Sequence, residues 1–536
     1  MKRYLFPLAL ALLAPAVQAQ NATIPVAADA AKAETPWLYE NSDVPVDTSW
    51  TFGVLPNGLK YVVKKNEVPQ GQVSIRVRID AGSLYEADDE QGFAHLIEHL
   101  SFRGSEYVPD GESKRIWQRL GASFGSDSNA QTTPTQTTYK LDLPSADAAK
   151  LDESMKIISG MMRAPNISEA ALTAERAIVL AEMRENSGAQ MEFGNRLREH
   201  IFQGQRLAAR STIGTVETLQ AADVNGLRAF HKRWYRPDKA VVVMAGDADP
   251  AALEALVKKH FEDWTAAGPP TPQPSFGDPK ADGKIAATII DPSLPKTAAI
   301  AYVRPWRQVN DTIVYNEQLL VDALAQRIIN RRLENRAREG ASFTYASVEQ
   351  RDESRSGDIT FVSVRPLGDD WEKAVTDVRA IIADATATPP SQADIERELA
   401  LFSDFIRTQL DSYPFESAAA QAENIVRAVD IRETVAAPDT VVKVFDAMRA
   451  KFTPQRLLDS TRALFTADAR RIFLSSPTLL ADADTRMANA LTAPVAAAKN
   501  VRLAQGNIGF DKLPKLGAPG KIAATQKYER FDMESI

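Results

Sequence analysis

The sequence predicts an α+β protein of two related modules, each a mostly antiparallel sheet packed against helices. Three observations predict it. Strand-like alternation mixes with long helical patterns in both halves of the chain, a proline cluster separates the halves, and each half closes on a helix, a short turn and a strand.

The 536 residues exceed one ordinary core, and about 150 residues per domain predicts two to four domains. Hydrophobic residues make up 44% and charged residues 25%, the composition of a globular protein with a sizeable core. The formal charge of -7 leaves no basic footprint, so nucleic acid is not an expected partner. The chain has no cysteine, which excludes a disulfide scaffold, a thiolate metal site and a cysteine nucleophile.

Residues 1–19 read as a signal peptide. Lys2 and Arg3 precede the apolar stretch Leu5 to Val17, and Val17-Gln18-Ala19 is a small-x-small cleavage site. Export to the periplasm or outside the cell is expected, with no membrane span after the signal is removed. Residues 20–46, rich in Ala, Pro and Asp, form an extended lead-in.

The first module covers 47–265. Val73, Ile75, Val77 and Ile79 alternate with Ser74, Arg76, Arg78 and Asp80, which predicts a half-buried strand. Tyr139, Leu141 and Leu143 repeat the alternation. Helical patterns fall at 90–103, 112–120, 146–163, 168–190 and 217–234, and the apolar run Ala240 to Met244 predicts a strand deep in a sheet. Residues 266–283 form a linker with Pro269, Pro270, Pro272, Pro274 and Pro279. The second module covers 284–477, with strands at 284–291, 297–304, 343–351 and 357–366 and helices at 311–338, 369–387, 391–411 and 416–432. Helix 456–465 and strand 470–474 echo Ala222 to Asp247 and point to a duplication. Residues 478–536 form a tail, in which Lys527 to Met533 reads as the start of a new strand and of a third module.

Five histidines occur, at 95, 99, 200, 231 and 260. His95 and His99 stand four apart on one expected helix, about 40° apart around its axis, so both imidazoles can reach one ion. Glu98 lies on that side too. A catalytic zinc needs a third protein ligand and an open position. Without cysteine, that ligand is a carboxylate or another histidine. Glu175 and Glu182 stack two turns apart on one helix face; such a pair also describes an ordinary solvated face.

His95-x-x-Glu98-His99 followed by Glu175-Arg-x-x-Val-Leu-x-Glu182 resembles the pitrilysin/insulinase family of zinc peptidases. Ala81-Gly82-Ser83, Gly92-Phe-Ala-His95, Phe102-Arg-Gly104, Leu120-Gly121-Ala122 and Asn129-Ala130 fall where that family has counterparts. The resemblance implies one zinc ion held by His95, His99 and Glu182, with Glu175 supporting the site from behind. It assigns Glu98 to take a proton from the attacking water and pass it to the leaving amine.

It further implies that a peptide substrate lies as an added strand beside Asn129 and Ala130. Asn129 reads equally as a turn residue. Arg338 and Tyr345 have the family's seven-residue spacing for a pair that stabilises the reacting carbonyl. The neighbouring Arg331, Arg332 and Arg336 make a solvated basic helix end the competing reading. Long members carry four modules and short ones dimerise, so a second half-chain or a homodimer partner is expected to close the chamber. The expected function is a zinc-dependent endopeptidase or oligopeptidase acting on peptides or unfolded segments. A non-catalytic peptide-binding or scaffolding subunit is the alternative.

Overall fold

The computed structural model describes residues 37–499 and the backbone of two short strands, 526–528 and 533–535. The expected signal peptide and the lead-in up to residue 36 lie outside the described residues. The rest of the lead-in is anchored: Trp37 is buried, and its indole N–H donates to the Gly53 carbonyl at 3.0 Å.

Two sheets carry the fold. The first contains β1 (Thr51–Val54), β2 (Lys60–Lys65), β3 (Val73–Ile79), β4 (Ser128–Thr132), β5 (Thr137–Leu143) and β6 (Ala240–Gly246). Its order is β1-β2-β6-β3-β5-β4. The second contains β7 (Ala286–Ile290), β8 (Thr297–Pro305), β9 (Phe343–Glu353), β10 (Gly357–Pro366) and β11 (Ala469–Ser476), in the order β7-β11-β8-β10-β9. With β1 set aside, the two orders are the same. Each sheet holds one parallel pair, β2 with β6 and β7 with β11, and is otherwise antiparallel. The closing strands β6 and β11 occupy equivalent central slots, as the helix–turn–strand echo predicts. β1 and β2 escape sequence detection because they are short and β2 carries Lys60, Lys64 and Lys65.

Helices α1 (Phe93–Arg103), α2 (Ser113–Leu120), α3 (Ala148–Arg163), α4 (Glu169–Glu185) and α5 (Ala189–Ile201) follow β3 and β5. Leu96, Ile97 and Leu100 of α1 join Ile75, Val77, Tyr139 and Met155 in one buried cluster. The Asp147 carboxylate starts α3 by accepting the Ala149 and Lys150 N–H groups, and the Ser168 hydroxyl starts α4 by accepting from Ala171. The expected helix 168–190 is therefore two helices, broken at Asn186-Ser187-Gly188, where Gly188 has φ 146°. The expected helix 217–234 is also two, Val216–Ala221 and Val224–Trp234, because the Asp223 carboxylate caps a new start.

The expectation for β3 needs correction. All seven of its residues are buried, not half of them. Helix Ala418–Ile431, from the chain's second half, covers its polar side and presents Glu423 and Asp430 to Arg76 and Arg78. Charged side chains are buried when paired, and pairing is not visible in an alternation pattern. The linker is pinned too: Phe276 is buried with its ring 5.6 Å from that of Tyr85. In the tail, residues 483–492 form a helix. The strand expected to start at Lys527 is short and pairs within the tail, Gln526–Tyr528 antiparallel to Met533–Ser535.

Candidate metal centre

α1 and α4 bring three donor atoms together. His95 Nε2 lies 3.9 Å and His99 Nε2 3.5 Å from Glu182 Oε2. One donor atom from each residue falls within 4.8 Å of the others, the one such grouping among the described residues. These separations are too long for good hydrogen bonds. They suit three donors about 2.1 Å from a shared tetrahedral ion, which stand about 3.4 Å apart. The donor set, two imidazoles and a carboxylate without thiolate, is one that catalytic zinc uses.

The electrostatics fit a cation. Burial, then the neighbouring His99, push His95 down to about 3, so its imidazole is neutral and able to ligate. Burial also disfavours charge on His99, but its hydrogen bond to Glu175 and the charges of Glu98, Glu175 and Glu182 outweigh that and raise it. Two imidazoles, His95 and His99, and three carboxylates, Glu98, Glu175 and Glu182, thus converge, with Arg103 paired to Glu175.

Behind the donors, Glu175 Oε2 accepts from His99 Nδ1 at 3.1 Å, and Arg103 lies 3.4 Å from Glu175 Oε1. Bonding at Nδ1 leaves the Nε2 lone pair facing the site. Glu175→Gln is expected to weaken zinc binding about 10- to 100-fold with the fold intact. Competition against a chromogenic chelator measures this, and wild-type affinity in the variant would remove Glu175 from the supporting role.

Glu98 is buried beside the donors and accepts a hydrogen bond from the Thr132 hydroxyl at 2.5 Å. Burial raises its carboxyl above the ordinary value, opposed by Thr132 and His99. Thr132 belongs to β4, which has β5 on one side only and forms the sheet's edge. A cavity of about 1060 Å³ opens over the donors, with Asn129 to Thr132 along one wall and Phe102, Phe124 and Met191 among its apolar surfaces. Asn129 is engaged with its own turn: Oδ1 accepts from the Ala130 N–H at 2.9 Å, and Nδ2 donates to the Gly125 carbonyl at 3.3 Å.

Residues 61–215 match the insulinase family, peptidase family M16, and residues 222–402 match the peptidase M16 inactive domain. The chain belongs to the insulinase family. Among insulinase-family relatives, the probable zinc protease PqqL of Haemophilus influenzae is 33% identical over 224 residues, covering 42% of this chain and 24% of that protein. The probable zinc protease PqqL of Escherichia coli is 30% identical over 299 residues, 55% of this chain and 32% of that protein. The chain thus spans well under half the length of these curated relatives. The crystal structure of the first half of the periplasmic protease PqqL from Escherichia coli has the same fold, with TM-score 0.76 and 22% identity over 85% of this chain and 99% of that one.

The second sheet of this insulinase-family chain holds a counterpart of the site without metal donors. Helix Ile313–Arg338 follows β8, the counterpart of the β3 that α1 follows, and carries Arg327, Asn330 and Arg331 at the spacing of His95, Glu98 and His99. Glu398, buried, pairs with Arg331 at 2.9 Å. Guanidinium groups there neutralise the carboxylate, and no imidazole faces it. Arg338 and Tyr345 line this second cavity, of about 620 Å³, and not the cavity over His95 and His99. Arg338 pairs with Glu334, and the Arg338 and Tyr345 side chains are largely exposed. Within this chain the structure does not bring them to the metal donors.

The sequence reading missed Thr132 and Arg103. Arg103 had a signal, since it lies four residues beyond His99 on the same face of α1. Thr132 had none, because it reaches Glu98 through sheet packing.

Proposed function

We propose that this chain is the catalytic part of a zinc-dependent endopeptidase or oligopeptidase acting on peptides or unfolded segments. The convergence of His95, His99 and Glu182, with Glu98 beside them and an open sheet edge along the same cavity, carries the reading. The chain's relatives are named zinc proteases, which supports it. A zinc ion held by His95, His99 and Glu182 would supply Lewis-acid polarisation and a bound water of pKa about 7. The peptide backbone extends along β4 as an added strand, which sets its scissile bond over α1. Glu98, held by Thr132, takes a proton from the attacking water and returns it to the leaving nitrogen. Water oxygen bonds to the carbonyl carbon, the carbon–nitrogen bond breaks, and the amine leaves with the proton.

We take the module boundaries as 47–265 and 284–477, the first catalytic and the second without metal. We take the protein to be exported to the periplasm, in keeping with a neighbour described as a periplasmic protease. No described helix is long and apolar enough to cross a membrane. A second half-chain, or a second copy, closes the cavity; full activity of a dilute monomer would overturn that part.

The test is hydrolysis of an unstructured fluorogenic peptide before and after chelation. Chelation is expected to abolish cleavage, and one equivalent of zinc to restore it. Tight peptide binding with no cleavage at any zinc level, alone or with a partner half, would favour the non-catalytic binding subunit instead.

A further inference from the structure

Glu86 is fully buried, at 0% exposure, nine residues before His95 and outside the donor set. Its Oε2 accepts from the Gly92 N–H and its Oε1 from the Ala94 N–H, both at 2.9 Å. These are two of the free amide groups at the start of α1. A helix usually supplies its own cap from a Ser, Thr, Asp or Asn at the N-cap position. Gly92 holds that position here, with φ 92° in the left-handed region. A Cβ on it would stand 2.8 Å from the Ile213 carbonyl oxygen. A capping side chain is therefore excluded at Gly92, and the carboxylate must come from elsewhere in the chain.

The turn that carries Glu86 is itself held. Arg206 donates to the Glu86 carbonyl oxygen, Arg210 approaches the same oxygen at 3.5 Å, and Arg210 pairs with Asp88. The carboxylate also meets the positive end of the α1 dipole. His95 is the third residue of α1, inside the turn that Glu86 caps, whereas His99 is one turn further on and is held by Glu175.

We propose that Glu86 is the positioning residue of the metal centre: by capping α1 it fixes the first turn, and with it the imidazole of His95, where both histidines can reach one ion. The proposal rests on the metal-site reading above. It assigns the two histidines separate supports, Glu86 for His95 through the backbone and Glu175 for His99 through the ring. Glu86→Ala leaves two amide groups without acceptors in a dry site, and the first turn opens. Glu86→Gln keeps one carbonyl oxygen and the shape, and loses the second of the two acceptors that hold the Gly92 and Ala94 N–H groups.

The experiment uses the full chain as wild type, Glu86→Gln, Glu86→Ala and Asp370→Ala. The last removes the cap of helix Trp371–Ala387, where the Asp370 side chain accepts from the Lys373 N–H at 3.0 Å. Zinc dissociation constants are measured by chelator competition, and amide hydrogen exchange is measured on the metal-free proteins. Glu86→Ala is expected to raise the zinc dissociation constant about 10- to 100-fold, with Glu86→Gln between it and wild type. The Gly92 and Ala94 amides should exchange faster in both Glu86 variants. Asp370→Ala should leave zinc binding and those amides unchanged.

Wild-type zinc affinity in both Glu86 variants would overturn the proposal, as would an equal loss in Asp370→Ala, which marks a merely global effect. If Glu86→Ala does not fold, the near-isosteric Glu86→Gln carries the test. A wild-type chain that takes up no zinc would overturn the metal-site reading itself, and unprotected Gly92 and Ala94 amides in that chain would overturn the cap separately.

Discussion

Glu98→Gln is expected to keep its zinc and lose about 10²- to 10⁴-fold in kcat, the range for removing a positioned general base. Glutamine has the shape of glutamate and can still accept the Thr132 hydroxyl, so the cavity is expected to stay intact. It cannot take up a proton at neutral pH. Glu98 is not one of the three converging donors, so metal content should match wild type. KM should change little, because the proposed peptide contacts run along the β4 edge rather than through Glu98. Steady-state peptide hydrolysis with metal analysis of the same samples checks all three expectations. Equal turnover would remove Glu98 as the base. Joint loss of zinc and activity would move it into the donor set.

The second large effect concerns stability. Asp80 is buried and takes bonds from Arg78 at 2.8 Å, Arg432 at 3.0 Å and Arg355 at 3.3 Å; Asp430 adds a contact to Arg78 at 2.9 Å. Asp80→Ala leaves Arg78 and Arg355 sharing Asp430 and takes from Arg432 its carboxylate, in a largely buried site. Removing one partner of a buried pair costs about 3–5 kcal/mol, and this variant should fall in that range by urea denaturation. A loss under about 1 kcal/mol, the value of an exposed pair, would mean that water relaxes the cluster.

The same residue predicts a pH dependence. Burial disfavours charge on Asp80, but Arg432, Arg78 and Arg355 outweigh it and hold the carboxyl well below its ordinary 3.8. A carboxyl depressed by folding stabilises fully above its unfolded pKa, and that share is lost as pH falls toward the folded value. Wild type should therefore lose more stability than Asp80→Ala on acidification below about pH 4. Parallel pH profiles for the two proteins would contradict the depression.

The fold was legible wherever local pattern carries it. Val73 to Ile79, Tyr139 to Leu143 and Ala240 to Met244 announce strands by period or by unbroken apolar character, and all three are observed. The order of the strands was not legible. Nothing local places β4 at an edge or gives β6 and β11 equivalent slots, since these follow from pairing between residues far apart in sequence. The burial of Arg76 and Arg78 went unseen for a related reason: besides Asp142 on the same sheet and Asp80 just past β3, they pair with Glu423 and Asp430, more than 340 residues away, which arrive by packing of a helix against the sheet.

The metal centre divides in the same way. The sequence by itself determined that His95, Glu98 and His99 share one face of a helix, because a period of about 3.6 residues fixes their directions whatever surrounds them. It also narrowed the third donor to an acidic or imidazole group, through the absence of cysteine. Only the tertiary structure decided that Glu182 reaches those histidines, that Glu175 backs His99, that Thr132 holds Glu98, and that Arg338 and Tyr345 face a different cavity. Those relations join separate helices and a sheet edge, and their geometry is set by the burial of apolar faces such as Leu96, Ile97 and Leu100. The spacing of the motif made metal binding possible; packing between α1 and α4 brings the donors to within reach of one ion.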